Sequence, residues 1–197
     1  PLSDCRVHVP PESLTAVQRT QVEGLEVPVE VWPSVETFAV QVARATLEDL
    51  RGDDERLCDA VAQAGGGNVA IPDLDVLRLG SPEMRRLGWQ ARVTVRDHEI
   101  IHVSAEGVPW LGLAVDIGTT KVAAYIMDLA SGRTLARRGV MNPQIAYGED
   151  IIARLMYAGK GAEESALMQS LLVDCLNQVA AETCGEIGAR PADIVDV

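Results

Sequence analysis

Three strand-like segments follow one another between residues 111 and 141, separated by two short glycine turns. The segments read LGLAVDI, KVAAYIMDL and RTLARRGVM, and the turns contain Gly118 and the pair Ser131 and Gly132. Apolar runs of this length bounded by turn residues indicate β-strands, and connections this short join antiparallel neighbours. The sequence therefore predicts an antiparallel three-stranded meander, which restricts the chain to folds that contain a sheet.

Helical patterns follow the meander. The segment YGEDIIARLMYAG places Gly148 before an acidic first turn of Glu149 and Asp150, with Gly159 as the stop, and residues 163–187 predict a long second helix. The final ADIVDV is typical of a strand that has just begun. We therefore expect residues 110–197 to be the first part of a larger domain, and the chain to be a piece of a longer protein.

The region before the meander predicts a small α+β domain at residues 37–109. FAVQVA alternates like a strand, DDERLCDAVAQAG and DLDVLRLGSPEMRRLG have helical periods, and ARVTV and IIHVS flank an RDHE turn as a hairpin. Residues 1–36 are rich in proline and predict an extended linker. The predicted fold class is thus α/β of the α+β kind.

The turn DIGTT contains residues suited to binding phosphate and Mg²⁺. A tight turn after a strand presents backbone N–H groups that attract phosphate oxygens, and Gly118 allows a ligand to approach the backbone closely. Thr119 and Thr120 add hydroxyl groups, Lys121 adds an ammonium, and Asp116 suits Mg²⁺ held through water. The alternative is an ordinary hairpin turn with a solvated Asp116, and the surrounding meander and helix favour the phosphate interpretation.

Composition excludes several partners. The 197 residues carry a formal charge of −12 with no basic run, which argues against a nucleic acid partner, and no apolar stretch is long enough to span a membrane. Cys5, Cys58, Cys175 and Cys184 lack metal-ligand spacing, so no metal or cluster site is expected on them. Unbridged cysteines suit the reducing cytoplasm.

At this point the sequence resembles a known family. AVDIGTTKVAAYIMDLASGRTL is similar to the first phosphate motif of the ATPase superfamily of actin, sugar kinases, acetate kinase and heat-shock chaperones, whose domains are actin-like (ribonuclease H-like). GVMNPQIAYGEDIIARL then resembles the reductive activators of corrinoid proteins, which are ferredoxin-containing ATPases. DCRVHVPPESL is similar to the segment after that family's ferredoxin domain, and residues 38–108 fit its middle domain. The resemblance covers nearly the whole chain.

The resemblance implies a redox protein that returns a Co(II) corrinoid to Co(I). Electrons would come from an upstream [2Fe-2S] domain, and ATP with Mg²⁺ would drive the change at the corrinoid. Asp116 is then the catalytic and metal-binding residue, and Gly118, Thr119, Thr120 and Lys121 bind the phosphates. A substrate or interdomain contact is assigned to four later residues, namely Asn142, Gln144, Tyr147 and Asp150. The implied partner is a corrinoid protein or a corrinoid-dependent methyltransferase.

The chain departs from the family pattern in two respects. It has no cysteine set for a [2Fe-2S] cluster, and it stops at Val197, before the second phosphate motif and the adenosine motif. We therefore expect it to hold no cofactor by itself, to bind ATP weakly or not at all, and to lack ATPase activity. Two alternatives stay open, a sugar-kinase-like phosphotransferase and a non-catalytic fragment that docks a corrinoid protein. Uncovered strand edges also suggest a homodimer.

Overall fold

The fold contains two small sheets and four α-helices within the described part of the chain. A computed structural model describes residues 34–69 and 73–197. This mixed architecture confirms the predicted fold class. The predicted linker falls almost wholly outside the described residues, as does Cys5.

The first sheet has three antiparallel strands in the order β1-β2-β3. They are β1 (Val35–Gln41), β2 (Gln90–Arg96) and β3 (Glu99–Ser104). A two-residue turn joins β2 to β3, and its first residue, Asp97, adopts a positive φ of 53°. The predicted hairpin is therefore confirmed.

Two helices pack on the first sheet, α1 (Asp53–Val61) and α2 (Leu74–Arg86). Their apolar residues close a core with the strands, because each element is amphipathic and buries its apolar side. The fully or almost fully buried members include Leu57, Val61, Met84, Val93 and Ile100. Helix α1 ends in a π-helical turn, Ala62–Gly66, with positive φ at Gly65 and Gly67. Helix α1 therefore ends at the glycine triplet formed by residues 65–67.

The second sheet has four strands in the order β6-β5-β4-β7. They are β4 (Leu111–Ile117), β5 (Lys121–Asp128), β6 (Arg133–Met141) and β7 (Ile194–Asp196). Strands β4, β5 and β6 form the predicted antiparallel meander. Strand β7 confirms the strand expected at the end of the sequence, and it pairs parallel to β4.

A 3-10 turn and two helices connect β6 to β7. The 3-10 turn is Pro143–Tyr147, and the helices are α3 (Ile151–Ala158) and α4 (Ala162–Glu186). Helix α3 begins later than predicted, because Asp150 is its N-cap and accepts a hydrogen bond from the Ala153 N–H at 2.7 Å. The acidic pair therefore precedes the helix instead of forming its first turn. None of the helices in the described part of the chain is long and apolar enough to cross a bilayer.

Helix α4 covers one face of the second sheet. Buried residues of β4 and β5 meet one side of the helix, and this core includes Leu111, Leu113, Ala124, Ile126, Val179, Ala180 and Cys184. Side chains alternate between the two faces of a strand. Since Leu113 and Val115 face α4, Ala114 and Asp116 lie on the opposite face.

The pKa of His102 generates a prediction about folding. His102 lies on β3, and burial lowers its pKa from 6.5, while nearby Asp193 and Glu83 partly offset that effect. The folded state thus disfavours the protonated imidazole, so this contribution to stability is present above about pH 6.5 and is lost as the pH falls. His102→Gln should reduce the slope of the unfolding free energy against pH as the pH falls below about 6.5.

The measurement is urea unfolding at several pH values, with His98→Gln as a matched control. His98 is an exposed residue in the β2–β3 turn, so this variant removes an imidazole without removing a buried one. Equal pH slopes for wild type and His102→Gln would contradict the assignment to His102.

Candidate functional site

The turn between β4 and β5 closes on itself at Gly118. The Gly118 N–H donates to the Lys121 carbonyl oxygen at 2.9 Å. A Cβ on residue 118 would lie 2.8 Å from that same oxygen, a distance that real Cβ atoms do not tolerate. Glycine is therefore required here because the chain itself comes close, which is a different reason from the ligand approach expected from the sequence.

Three consecutive carbonyl groups of the turn are bound by residues that follow β6. The Asn142 side chain donates from Nδ2 to the Gly118 carbonyl at 2.9 Å, and the Asn142 backbone N–H donates to the Thr120 carbonyl at 2.9 Å. Arg154 donates from Nη2 to the Thr119 carbonyl at 2.5 Å. The carbonyl side of the turn is thus fully engaged by two residues.

The N–H groups of the turn point the other way. In a planar trans peptide the N–H lies opposite the C=O, so the N–H groups of Thr119 and Thr120 are directed away from Asn142 and Arg154. Neither these N–H groups nor the two threonine hydroxyls have a hydrogen-bond partner among the described residues. Both threonines are exposed. The turn therefore presents unused donors to solvent.

Asp116 and Lys121 flank this turn and lie on the face of the sheet opposite α4. Asp116 is directly opposite Ala123 on β5, and Lys121 is two residues from Ala123 on the same face. The Asp116 carboxylate is exposed and makes no ion pair or hydrogen bond with any residue that the structure describes. The structure thus places Asp116 and Lys121 on one face of the sheet, with the exposed Thr119 and Thr120 in the turn between them, while Gly118 shapes the turn.

The four predicted contact residues, Asn142, Gln144, Tyr147 and Asp150, lie in and around the 3-10 turn. Asn142 is 2% exposed and also accepts from the Gln144 N–H at 3.0 Å, and the Gln144 side chain donates to the Met168 carbonyl at 2.9 Å. The ring of Tyr147 packs against Tyr157 with centroids 4.8 Å apart. Asp150 caps α3 and is exposed. Each residue has an evident place in the fold, and the contact role stays a prediction.

Arg154 also belongs to this site, although the sequence did not predict a functional role for it. It is 4% exposed, and its guanidinium donates from Nε to the Gly148 carbonyl at 2.9 Å in addition to its bond with Thr119. In the described part of the chain it has no carboxylate partner. Helix α3 buries this arginine and exposes four apolar side chains, Ile151, Ile152, Leu155 and Met156. This is the reverse of the usual amphipathic pattern.

No metal cage accompanies the turn. Within residues 34–69 and 73–197, no three His, Cys, Asp or Glu side chains gather into a group that could hold a metal ion. Any metal at Asp116 would therefore share its remaining coordination with ligand oxygens and water, which is the usual manner of Mg²⁺ binding.

Two family models match consecutive parts of the chain. The model described as the RACo linker region matches residues 24–107, and the model described as the RACo middle region matches residues 111–197. The linker model thus covers most of residues 37–109, which the sequence likens to the family's middle domain, and the model described as the middle region matches the residues that follow. The boundary between the two models falls next to the start of β4.

Two known proteins are similar to parts of this chain. The corrinoid activation enzyme RamQ of Eubacterium limosum is 31% identical over 142 residues, covering 62% of this chain and 24% of RamQ. A solved structure of a reductive activator for corrinoid, iron-sulfur protein is 26% identical, with a TM-score of 0.63, covering 85% of this chain and 27% of that one. The chain spans about a quarter of the length of these relatives.

The close approach at Gly118 generates a prediction. Gly118→Ala should destabilise the chain by about 1–3 kcal/mol, because the new Cβ must displace the Lys121 backbone. The matched control is Gly185→Ala in α4, where a Cβ meets nothing within 4 Å and helix propensity favours alanine by up to about 1 kcal/mol. Urea unfolding measures both variants, and a Gly118→Ala variant as stable as wild type would show that the turn is not so constrained.

Proposed function

Since the chain carries the RACo linker and middle regions and is homologous to RamQ and to a reductive activator for corrinoid, iron-sulfur protein, we propose that it supplies the first phosphate turn of an ATP-dependent reductive activator. The observation that carries the proposal is the set of unused N–H and hydroxyl groups of Thr119 and Thr120 beside the exposed Asp116. These groups are the donors and the acceptor that a Mg²⁺-bound polyphosphate needs.

The residues of the site would have different roles in binding the nucleotide. Thr119 and Thr120 would donate to phosphate oxygens, and the Lys121 ammonium would add positive charge on the same face. Asp116 would hold Mg²⁺ through water, because Mg²⁺ keeps most of its hydration shell and takes one or two carboxylates. Bound ATP supplies the free energy for a conformational change. The protein's own task here is to bind and orient the phosphates.

In the intact protein the proposed task is reduction of a Co(II) corrinoid to Co(I). An upstream [2Fe-2S] domain would provide the electrons, and the reaction would take place in the cytoplasm on a corrinoid protein or a corrinoid-dependent methyltransferase. Such a reduction is uphill for an ordinary ferredoxin, so the two nucleotide states must differ in their interaction with the partner. The names of the two relatives support a role in corrinoid activation.

The proposed domain division remains a linker at 1–36, a small α+β domain at 37–109 and the first part of an actin-like ATPase domain at 110–197. Two of the four predicted contact residues, Tyr147 and Asp150, are at least partly exposed and so are accessible to a ligand or a neighbouring domain. We propose that they meet the remainder of the nucleotide cleft.

The role of Asp116 is tested in the full-length protein. Asp116→Ala should abolish ATP-dependent formation of Co(I), because it removes the carboxylate for Mg²⁺, and it should change stability by less than about 0.5 kcal/mol, because the side chain is exposed and unpaired in the described part. The control is Asp174→Ala, an exposed residue on α4. Corrinoid absorbance follows the reaction, and a wild-type rate in Asp116→Ala would refute the assignment.

A second prediction concerns the 197-residue chain alone. It should bind ATP weakly or not at all and should not hydrolyse it, because the turn provides only one side of the proposed cleft. Calorimetry with MgATP measures this directly. Micromolar affinity in the isolated chain would show that the described residues form a complete site.

A further inference from the structure

We infer that Asn142 and Arg154 are positioning residues that hold the turn in the conformation that binds an anionic ligand, an inference that rests on the proposed function of the turn. The evidence is that these two residues bind three consecutive carbonyl groups, those of Gly118, Thr119 and Thr120, at 2.5–2.9 Å. Neither residue needs to touch the ligand. Their effect passes through the peptide groups that they orient.

Each bound carbonyl sets the direction of the following N–H. The Asn142 amide binds the carbonyl of Gly118, so it orients the N–H of Thr119 in the same peptide group. Arg154 binds the carbonyl of Thr119, so it orients the N–H of Thr120 in the same way. Without these bonds the turn peptides could rotate, and the entropy lost in fixing them would reduce the binding free energy of a phosphate.

Arg154 also acts through its charge. A hydrogen bond from a guanidinium polarises the peptide group that accepts it, which strengthens the N–H on the other side as a donor. Arg154 is buried and has no carboxylate partner among the residues that the structure describes. A buried and unpaired charge is costly, and an anion on the far side of the Thr119–Thr120 peptide would offset that cost. The site therefore favours an anionic ligand over a neutral one of similar shape.

The two hydrogen bonds of residue 154 require the guanidinium of an arginine, and another cationic side chain would not form both. The guanidinium holds the Thr119 carbonyl through Nη2 and the Gly148 carbonyl through Nε, so one planar group joins two separate segments. A lysine ammonium is a point charge on a flexible stem and cannot reproduce this fork. Gly148 allows the arrangement, since a Cβ there would lie 2.8 Å from the backbone nitrogen of Arg154.

The experiment uses the full-length protein and measures affinity for MgATP and for adenosine by calorimetry. Arg154→Gln removes the charge and the fork, and should weaken MgATP binding by about 10- to 100-fold, the range expected for hydrogen bonds to a charged group. Arg154→Lys keeps the charge and should lose about tenfold. Adenosine affinity should stay unchanged in both variants, because adenosine does not contact the phosphate turn.

The matched control is Arg138→Gln. Arg138 forms surface ion pairs with Glu182 and Glu186 on α4, away from the turn, so its loss should leave MgATP affinity unchanged. Wild-type MgATP affinity in Arg154→Gln would overturn the inference. A parallel loss of adenosine affinity would also overturn it, because Arg154 would then support the fold as a whole. If Arg154→Gln does not fold, Arg154→Lys decides the question.

The same experiment separates this inference from the proposed function. A wild-type protein that binds no MgATP would reject the ATP site itself, whatever Arg154 does. A wild-type protein that binds MgATP as tightly as its Arg154 variants would keep the ATP site and reject only the positioning role.

Discussion

The packing of α4 on one face of the four-stranded sheet is the interaction on which the second half of the structure depends. It buries Leu113 and Ile126 against Val179 and its neighbours, and each such side chain contributes about 1.5–3 kcal/mol. Because strands alternate, covering one face assigns every second residue of β4 and β5 to the other. Asp116 is therefore exposed because its neighbours Leu113 and Val115 are the residues that pack against α4.

Local patterns were sufficient to predict most of the strands and helices. The meander followed from apolar runs interrupted by glycine, and the β2–β3 hairpin followed from two strand patterns around RDHE. The parallel pairing of β7 with β4 joins residues more than 80 positions apart, and no local pattern contains that information. The start of α3 was misplaced because Asp150 suits both a first turn and an N-cap, and only the backbone distinguishes them.

The candidate site was predictable to the extent that it follows from alternation and turn chemistry. Asp116 and Lys121 share a face because of their spacing around the turn. The part that could not be predicted is what holds the turn from behind. Arg154 lies in IIARL, where a single arginine among apolar residues is normally the solvated side of a helix. Here the surrounding apolar residues are exposed and the arginine is buried, so the usual inference from helical periodicity is inverted.

The bonds from Arg154 join the hairpin turn to helix α3, and this connection has a thermodynamic consequence. The conformation of the turn and the position of α3 are linked, since moving the helix away by a single hydrogen-bond length would release the Thr119 carbonyl. Linkage is reciprocal: whatever stabilises the turn stabilises the docked helix to the same degree. A contact on the exposed apolar side of α3 that favours the docked position of the helix would therefore raise ligand affinity at the turn without reaching it.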